Sequence, residues 1–232
     1  MELMVAMTVS VLLLVMLART FVSGQNTWRS VRGETDALRE ARAALQWLAA
    51  DLNAASSGCA GSPLVSEITL ILKPTDSNSL AFATARPDAS GALQLVDYYV
   101  ALDSTDGRLS QKLFRHHRDS NTSFDAVCDR MDGKLTTWTA GRDPARDDPV
   151  AFDVVCFQVL PSTLSVTSGV LLPQNTFTQG ILPDCVDITL TVALLETAIR
   201  WQTAADWANA VQSSVSMTSG LRTYSLRLNL RK

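Results

Sequence analysis

The sequence is short of the residues that do chemistry at neutral pH. Its two histidines, His116 and His117, are adjacent, and neighbours on a strand point to opposite faces. They make a poor chelating pair and read as part of a solvated loop. No G-x-S-x-G, P-loop, H-E-x-x-H or dinucleotide fingerprint occurs, so neither an enzyme active site nor a cofactor site is expected. Basic charge is scarce too. With 20 Lys and Arg against 23 acidic residues and a net charge of -3, the electrostatic drive toward DNA or RNA is missing, and no nucleic-acid partner is expected. The cysteines Cys59, Cys128, Cys156 and Cys185 include no C-x-x-C pair, which argues against a zinc ribbon or a thioredoxin-like site. They are compatible with two disulfides in an oxidising compartment, with all three pairings open. Four buried thiols in a reduced protein are the alternative.

One stretch lacks charge altogether. Between Glu2 and Arg19 the chain runs Leu3 to Ala18 with almost no polarity, and a helix that is greasy all round can be solvated only by lipid or by other such helices. A signal peptide would need a basic segment ahead of it, although Val22-Ser23-Gly24 would serve as a cleavage site. A free-standing transmembrane helix needs about 20 apolar residues, and this run is short. The third reading is an assembly helix that continues into an amphipathic one, and the residues after Arg19 favour it. Trp28, Val31, Leu38, Ala41, Leu45, Leu48 and Leu52 form a one-sided helical stripe, with Arg29, Arg32, Glu34, Asp36, Arg39, Glu40 and Arg42 opposite. A single helix from Glu2 to about Ala55 would be roughly 80 Å long. Gly24 and Gly33 are its weakest points.

Glu2-Leu3-Met4-Val5-Ala6-Met7 and the aliphatic run after it resemble the start of type IV pilins, minor pilins and type II secretion pseudopilins, in which a glutamate sits a few residues after the prepilin-peptidase cleavage site. Trp28-Arg29-Ser30 and Leu38-Arg39-Glu40-Ala41-Arg42-Ala43-Ala44 are similar to the pseudopilin-type proteins grouped as Verru_Chthon cassette proteins, most of all the C member. The tyrosine-bearing strand at Leu93 to Leu102, followed by Leu109-x-x-x-Leu113-Phe114-Arg115, resembles the sheet of J-type minor pseudopilins and PilW-like minor pilins.

The resemblance implies a structural subunit of a type IV pilus-like or type II secretion-like filament, with no catalysis and no cofactor. Its partners would be other pilin or pseudopilin subunits, met through the N-terminal helix. Before assembly it would be a single-pass inner-membrane protein with a periplasmic head, processed and methylated in the prepilin manner. Glu2 would pair with the N-terminal amine of a neighbouring subunit, since an unpaired carboxylate among apolar helices costs several kcal/mol. Leu3, Val5, Val9, Leu12, Leu13 and Met16 would share that contact. A basic leader ending in glycine is expected upstream of Met1, so the sequence reads as N-terminally truncated. Taken as it stands, the charge bias would place Arg19 on the cytoplasmic side; the leader would supply the opposing charge.

The chain divides into three segments: 1–24, the hydrophobic half of the helix; 25–57, its amphipathic half; and 58–232, a β-rich head. In the head, strands are expected at Ser66 to Leu72, Leu93 to Leu102, Leu109 to Phe114, Val150 to Leu160, Val186 to Leu195 and Leu221 to Leu230. Asp103-Ser104-Thr105-Asp106-Gly107 forms a hairpin turn. Residues 116–149 read as a polar surface loop with a short strand at Leu135 to Thr139, and 161–183 as a second long loop. Ala198 to Val211 reads as helix. The tryptophans Trp28, Trp47, Trp138, Trp201 and Trp207 are expected in packing, with Trp138 the most exposed. The predicted fold class is therefore α+β, a long N-terminal α-helix packed on an antiparallel β-sheet head, and the resemblance adds that this arrangement is pilin-like.

No metal site is expected. Asp143, Asp147 and Asp148, with Asp103 and Asp106, offer oxygen ligands for calcium, but neither loop has the D-x-[DN]-x-[DN]-G pattern. The competing function is a secreted or membrane-tethered ligand-binding domain with residues 1–24 as signal peptide or anchor. A secreted hydrolase is the third and least supported.

Overall fold

A computed structural model describes residues 2–55, 79–84, 94–118, 141–165, 169–173, 183–213 and 220–230. One helix, α1 (Glu2–Asn53), runs unbroken through both Gly24 and Gly33. No proline interrupts it, and at ~1.5 Å per residue it is about 78 Å long. Its far end carries Ala41, Ala44, Leu45, Leu48 and Leu52, all buried. Their spacing of three and four puts them on one face.

That face meets two four-stranded antiparallel sheets rather than the single sheet expected from sequence. The first has the order β1 (Ser79–Thr84), β2 (Gln94–Asp103), β3 (Ser110–Arg118) and β4 (Asp148–Ala151). The second has the order β6 (Leu171–Pro173), β5 (Val154–Leu164), β7 (Cys185–Ala193) and β8 (Leu221–Asn229). Leu80, Phe82, Val96, Tyr98 and Leu113 from the first sheet share one core with Phe157, Val159, Ile188 and Leu190 from the second and with the buried face of α1. The described architecture is thus mixed α+β, a helix with antiparallel sheets.

The single strand expected at Val150 to Leu160 is two, because the chain changes sheet at Phe152-Asp153. Asp153 has φ 53°, a left-handed conformation that Asp tolerates better than most residues. Arg108 Nη2 donates to both its carboxylate oxygens at 2.7 and 2.8 Å, and Ala193 N–H donates to its carbonyl at 2.8 Å. The loop expected at 161–183 likewise contains the end of β5 and the short β6. The helix expected at Ala198 to Val211 is a four-residue turn of helix α2 (Leu195–Ala198) and a separate α3 (Ala204–Ser213). Thr203 caps α3, its hydroxyl accepting from Asp206 N–H while its own N–H donates to Asp206 Oδ2, a capping box. Gly220, at φ +90°, closes the approach to β8. A Cβ there would lie 2.1 Å from the Thr197 hydroxyl, so only glycine fits. The strands expected at Ser66 to Leu72 and Leu135 to Thr139 lie outside the described residues.

The tryptophans divide. Trp207 is buried and meets Trp201 edge to face at 4.8 Å, whereas Trp28 and Trp47 are exposed, contrary to the expectation of packing. Trp138 lies outside the described residues.

Candidate functional site

The segment expected to carry function is the bare part of α1. Val9, Leu12, Leu13 and Met16 are all exposed, as are Met4, Met7, Val11, Leu14, Val15, Leu17, Phe21 and Val22. The side chains of Glu2, Leu3 and Val5 lie outside the described residues. Over Ala6–Gln25 the helix is long and apolar enough to cross a membrane, and none of that span is covered by the rest of the chain. Its 20 residues extend about 30 Å, the thickness of a bilayer core.

Three hydroxyls of this span are satisfied from within. Thr8 Oγ1 donates to the Met4 carbonyl at 3.1 Å, Ser10 Oγ to Ala6 at 2.8 Å and Thr20 Oγ1 to Met16 at 3.1 Å. These three hydroxyls are returned to their own helix one turn back, so they need no water. Arg19 is the one charged side chain between Leu3 and Gln25.

Docking to the head begins near Ala37, well beyond Gln25. Trp28 and Val31, expected to open the buried stripe, are 71% and 53% exposed, because neither sheet reaches back that far along the helix. Among the described residues, nothing covers that end of the stripe.

At the docked end the helix is fixed by a buried ion pair that the apolar pattern does not reveal. Asp51, fully buried, accepts from Tyr98 Oη at 2.7 Å and from Arg115 Nε at 2.8 Å. A carboxylate in the last turn of a helix faces the negative end of the macrodipole, so Asp51 disfavours α1 in isolation and depends on its β2 and β3 partners. The Arg115 guanidinium also lies over the Trp47 ring at 5.8 Å. Burial, followed by the neighbouring Asp51 carboxylate, pushes the Tyr98 phenol far above its ordinary range, so it stays a donor. At the other end of the docked region, Arg222 Nε on β8 meets Glu34 Oε1 at 2.7 Å, an exposed pair of small worth.

The opposite face of the first sheet holds a second polar network. The expected surface loop at 116–149 is a correction here. β3 extends through His116 and His117 to Arg118, and the segment 141–147 folds over the sheet. Tyr99 Oη donates to Asp147 Oδ2 at 2.6 Å, and His116 Nδ1 lies 2.7 Å from Asp147 Oδ1. Arg142 holds Asp97 through Nε and, at 2.9 Å, through Nη2, with its guanidinium 4.8 Å above the Tyr99 ring. Burial alone would raise the Asp147 carboxyl, but hydrogen bonds from Tyr99, His116 and the Asp143 N–H outweigh it and hold it below its ordinary value. For Asp97 burial prevails over Arg142 and raises the carboxyl. Nearer the β2–β3 turn, buried Lys112 reaches Asp103 at 2.6 Å and Asp106 at 3.2 Å. Asp103 also accepts from the Thr105 N–H and hydroxyl. These contacts clamp a loop and a turn; each carboxylate in them is already spoken for.

The calcium candidates do not converge. Asp147 serves Tyr99 and His116, Asp143 caps its own turn through the Ala145 N–H, and Asp148 is exposed at the start of β4. No group of three or more potential metal ligands occurs among the described residues. The cysteines are also a correction. Cys156 and Cys185 are free thiols, so a framework of two disulfides using all four is not formed. Cys156 is paired across the sheet with Thr191 on β7, while Cys185 sits six positions along that strand, about 20 Å away, far beyond disulfide reach. Cys59 and Cys128 lie outside the described residues.

No protein-family model matches the chain, and no curated protein is detectably similar to it in sequence.

Proposed function

We propose that this protein is a structural assembly subunit of the pilin or pseudopilin kind. Its head is carried on α1, which anchors it in the inner membrane with the head on the extracytoplasmic side, and which then polymerises with the helices of other copies or related subunits. The observation that carries the reading is the division of α1: one continuous helix of 52 residues, docked at one end and bare, apolar and internally hydrogen-bonded at the other. A helix used only to retain a domain could end where the membrane ends. This one runs without a break into the head's core, so a subunit packed by its bare half would set the position of its head. The long N-terminal helix against antiparallel strands supports the reading at the level of a mixed α+β fold, while the division of the head into two sheets does not bear on it. Glu2, at the first turn, is the residue the reading assigns to pairing with a neighbour's N-terminal amine. No catalysis is proposed.

A secreted or tethered binding domain with residues 1–24 as signal peptide fits less well, since cleavage near Gln25 would cut an uninterrupted helix. The test is chemical cross-linking of the full chain in membranes, combined with N-terminal mass analysis. The assembly reading predicts a ladder at multiples of 25.1 kDa, lost in Leu12→Arg with the thermal transition of the head unchanged. A monomer with a mature N-terminus near Gln25 contradicts it.

A further inference from the structure

The two described sheets end in four edge strands, and three of them are blunted. β4 has four residues including Pro149, and its pairing with β3 is broken by a register shift. β6 has three residues including Pro173. β1 has six, and a bridge from Ala55 to Thr84 occupies its end. Short length, proline and irregular pairing are the devices that keep a free edge from recruiting another strand. β8 has none of them. Its nine residues carry no proline and pair with β7 in one continuous register from Leu221 to Asn229.

The direction of its backbone groups follows from the bonds that flank it. Leu194 N–H donates to the Gly220 carbonyl at 2.8 Å, and Leu230 N–H to the Asp184 carbonyl at 3.0 Å. Both pairs continue the β7–β8 register, so the even-numbered residues of β8 bond to β7 and the odd-numbered ones turn N–H and C=O away from it. The N–H groups of Thr223, Ser225, Arg227 and Asn229 therefore face outward, with no hydrogen-bond partner among the described residues. On the core side Tyr224, Leu226 and Leu228 are only partly buried. β8 contains two arginines and no carboxylate, and Arg227 stays 63% exposed while paired with Asp187. An incoming strand would meet free donors and acceptors, a half-covered apolar row and positive charge.

We propose that β8 is a docking edge for an extended segment of another protein, which adds to the second sheet as an antiparallel fifth strand. That segment carries apolar side chains at every second position, over Tyr224, Leu226 and Leu228, with hydroxyl or acidic side chains between them and an acidic one beside Arg227. The β8 of a second copy does not meet the need. The two-fold axis that pairs two such strands antiparallel is normal to the sheet and reverses every direction in its plane. It would point the two α1 helices, which lie along their sheets, in opposite directions and away from a common membrane. The inference goes beyond the assembly reading and draws on it only for that shared membrane.

The test titrates the full chain in detergent with a fluorescent peptide copying Cys185–Ala193, its cysteine replaced by serine, and reads anisotropy. This peptide reproduces β7, the antiparallel neighbour of β8 in which Asp187 stands opposite Arg227. Saturable binding is expected. Ser225→Pro removes an outward N–H and spares the β7 ladder, so it should weaken binding by about tenfold or more with the thermal midpoint of the head retained. N-methylation of the peptide at the positions of Thr189 and Thr191, whose N–H groups would face β8, should abolish binding. N-methylation at Ile188 and Leu190, whose N–H groups would face away, should leave it intact. No saturation by about 1 mM peptide, or equal loss with both N-methylated peptides, overturns the proposal. So does protection of the Ser225 and Arg227 amides from hydrogen exchange in the chain without peptide, and protection that rises with protein concentration assigns the edge to a second copy. The cross-linking ladder that tests the assembly reading is independent of all these outcomes.

Discussion

The two halves of α1 solve opposite problems with the same backbone. From Ala37 onward the helix buries one narrow face and keeps charge on the other, and it even places Asp51 inside the core. Before Ala37 it buries nothing among the described residues over the apolar span, keeps one charge there, and folds the hydroxyls of Thr8, Ser10 and Thr20 back on itself. The docked half belongs to the head and obeys the rules of a water-soluble core. The bare half is stable only when lipid or other helices cover it.

Substitutions that separate the halves sharpen this contrast. The largest effect is expected for Asp51→Ala, which leaves Arg115 buried against Trp47 and Tyr98 without its anion. Breaking such a pair costs about 3–5 kcal/mol, read as a lower urea midpoint of the head. Leu48→Ala, opening a cavity at the centre of the docked face, should cost roughly 3 kcal/mol by the same measurement. Gly220→Ala must move Thr197 and accept a left-handed backbone, at about 2 kcal/mol. Asp147→Asn tests the second network through pH. Because the folded-state carboxyl of Asp147 lies below its unfolded value, its contribution is fully present above about pH 4 and is lost as pH falls through the lowered value. Asp147→Asn should therefore flatten the acid limb of a stability profile. At the small end, Leu14→Ala in the bare half should change head stability by less than about 0.5 kcal/mol, while cross-linking between copies falls.

Much of this is legible in the residues. The unbroken helix, the hairpin with its Asp106-Gly107 turn, and the alternating strands ending at Cys185–Ala193 and Leu221–Asn229 all agree with period and turn chemistry. β1 escapes a reading by period because Leu80 and Phe82 alternate with small alanines across a strand of only six residues. The division into two sheets is hidden because Val150 to Leu160 is continuously apolar enough to read as one strand, and the break depends on Asp153 meeting Arg108, far away in sequence. Of the site, the bare surface of Val9, Leu12, Leu13 and Met16 is readable from composition. Asp51 is not, though a carboxylate between Leu48 and Leu52 on an apolar face is a signal that a buried partner must exist. His116 reads as solvated because its partner Asp147 comes from a loop whose fold period cannot reveal. The stripe puts the end of the docked face at Trp28 for a similar reason: it shows which face can be buried, not how far the covering sheets extend.

The most direct test of the divided helix is a photo-cross-linking scan along α1 of the full chain in membranes, one probe position at a time. The account predicts products between copies from Met7 through Val31, and products only within the chain at Ala41, Leu45 and Leu48. Products joining Leu12 or Met16 to the chain's own head, or no products between copies anywhere in the bare half, would contradict it.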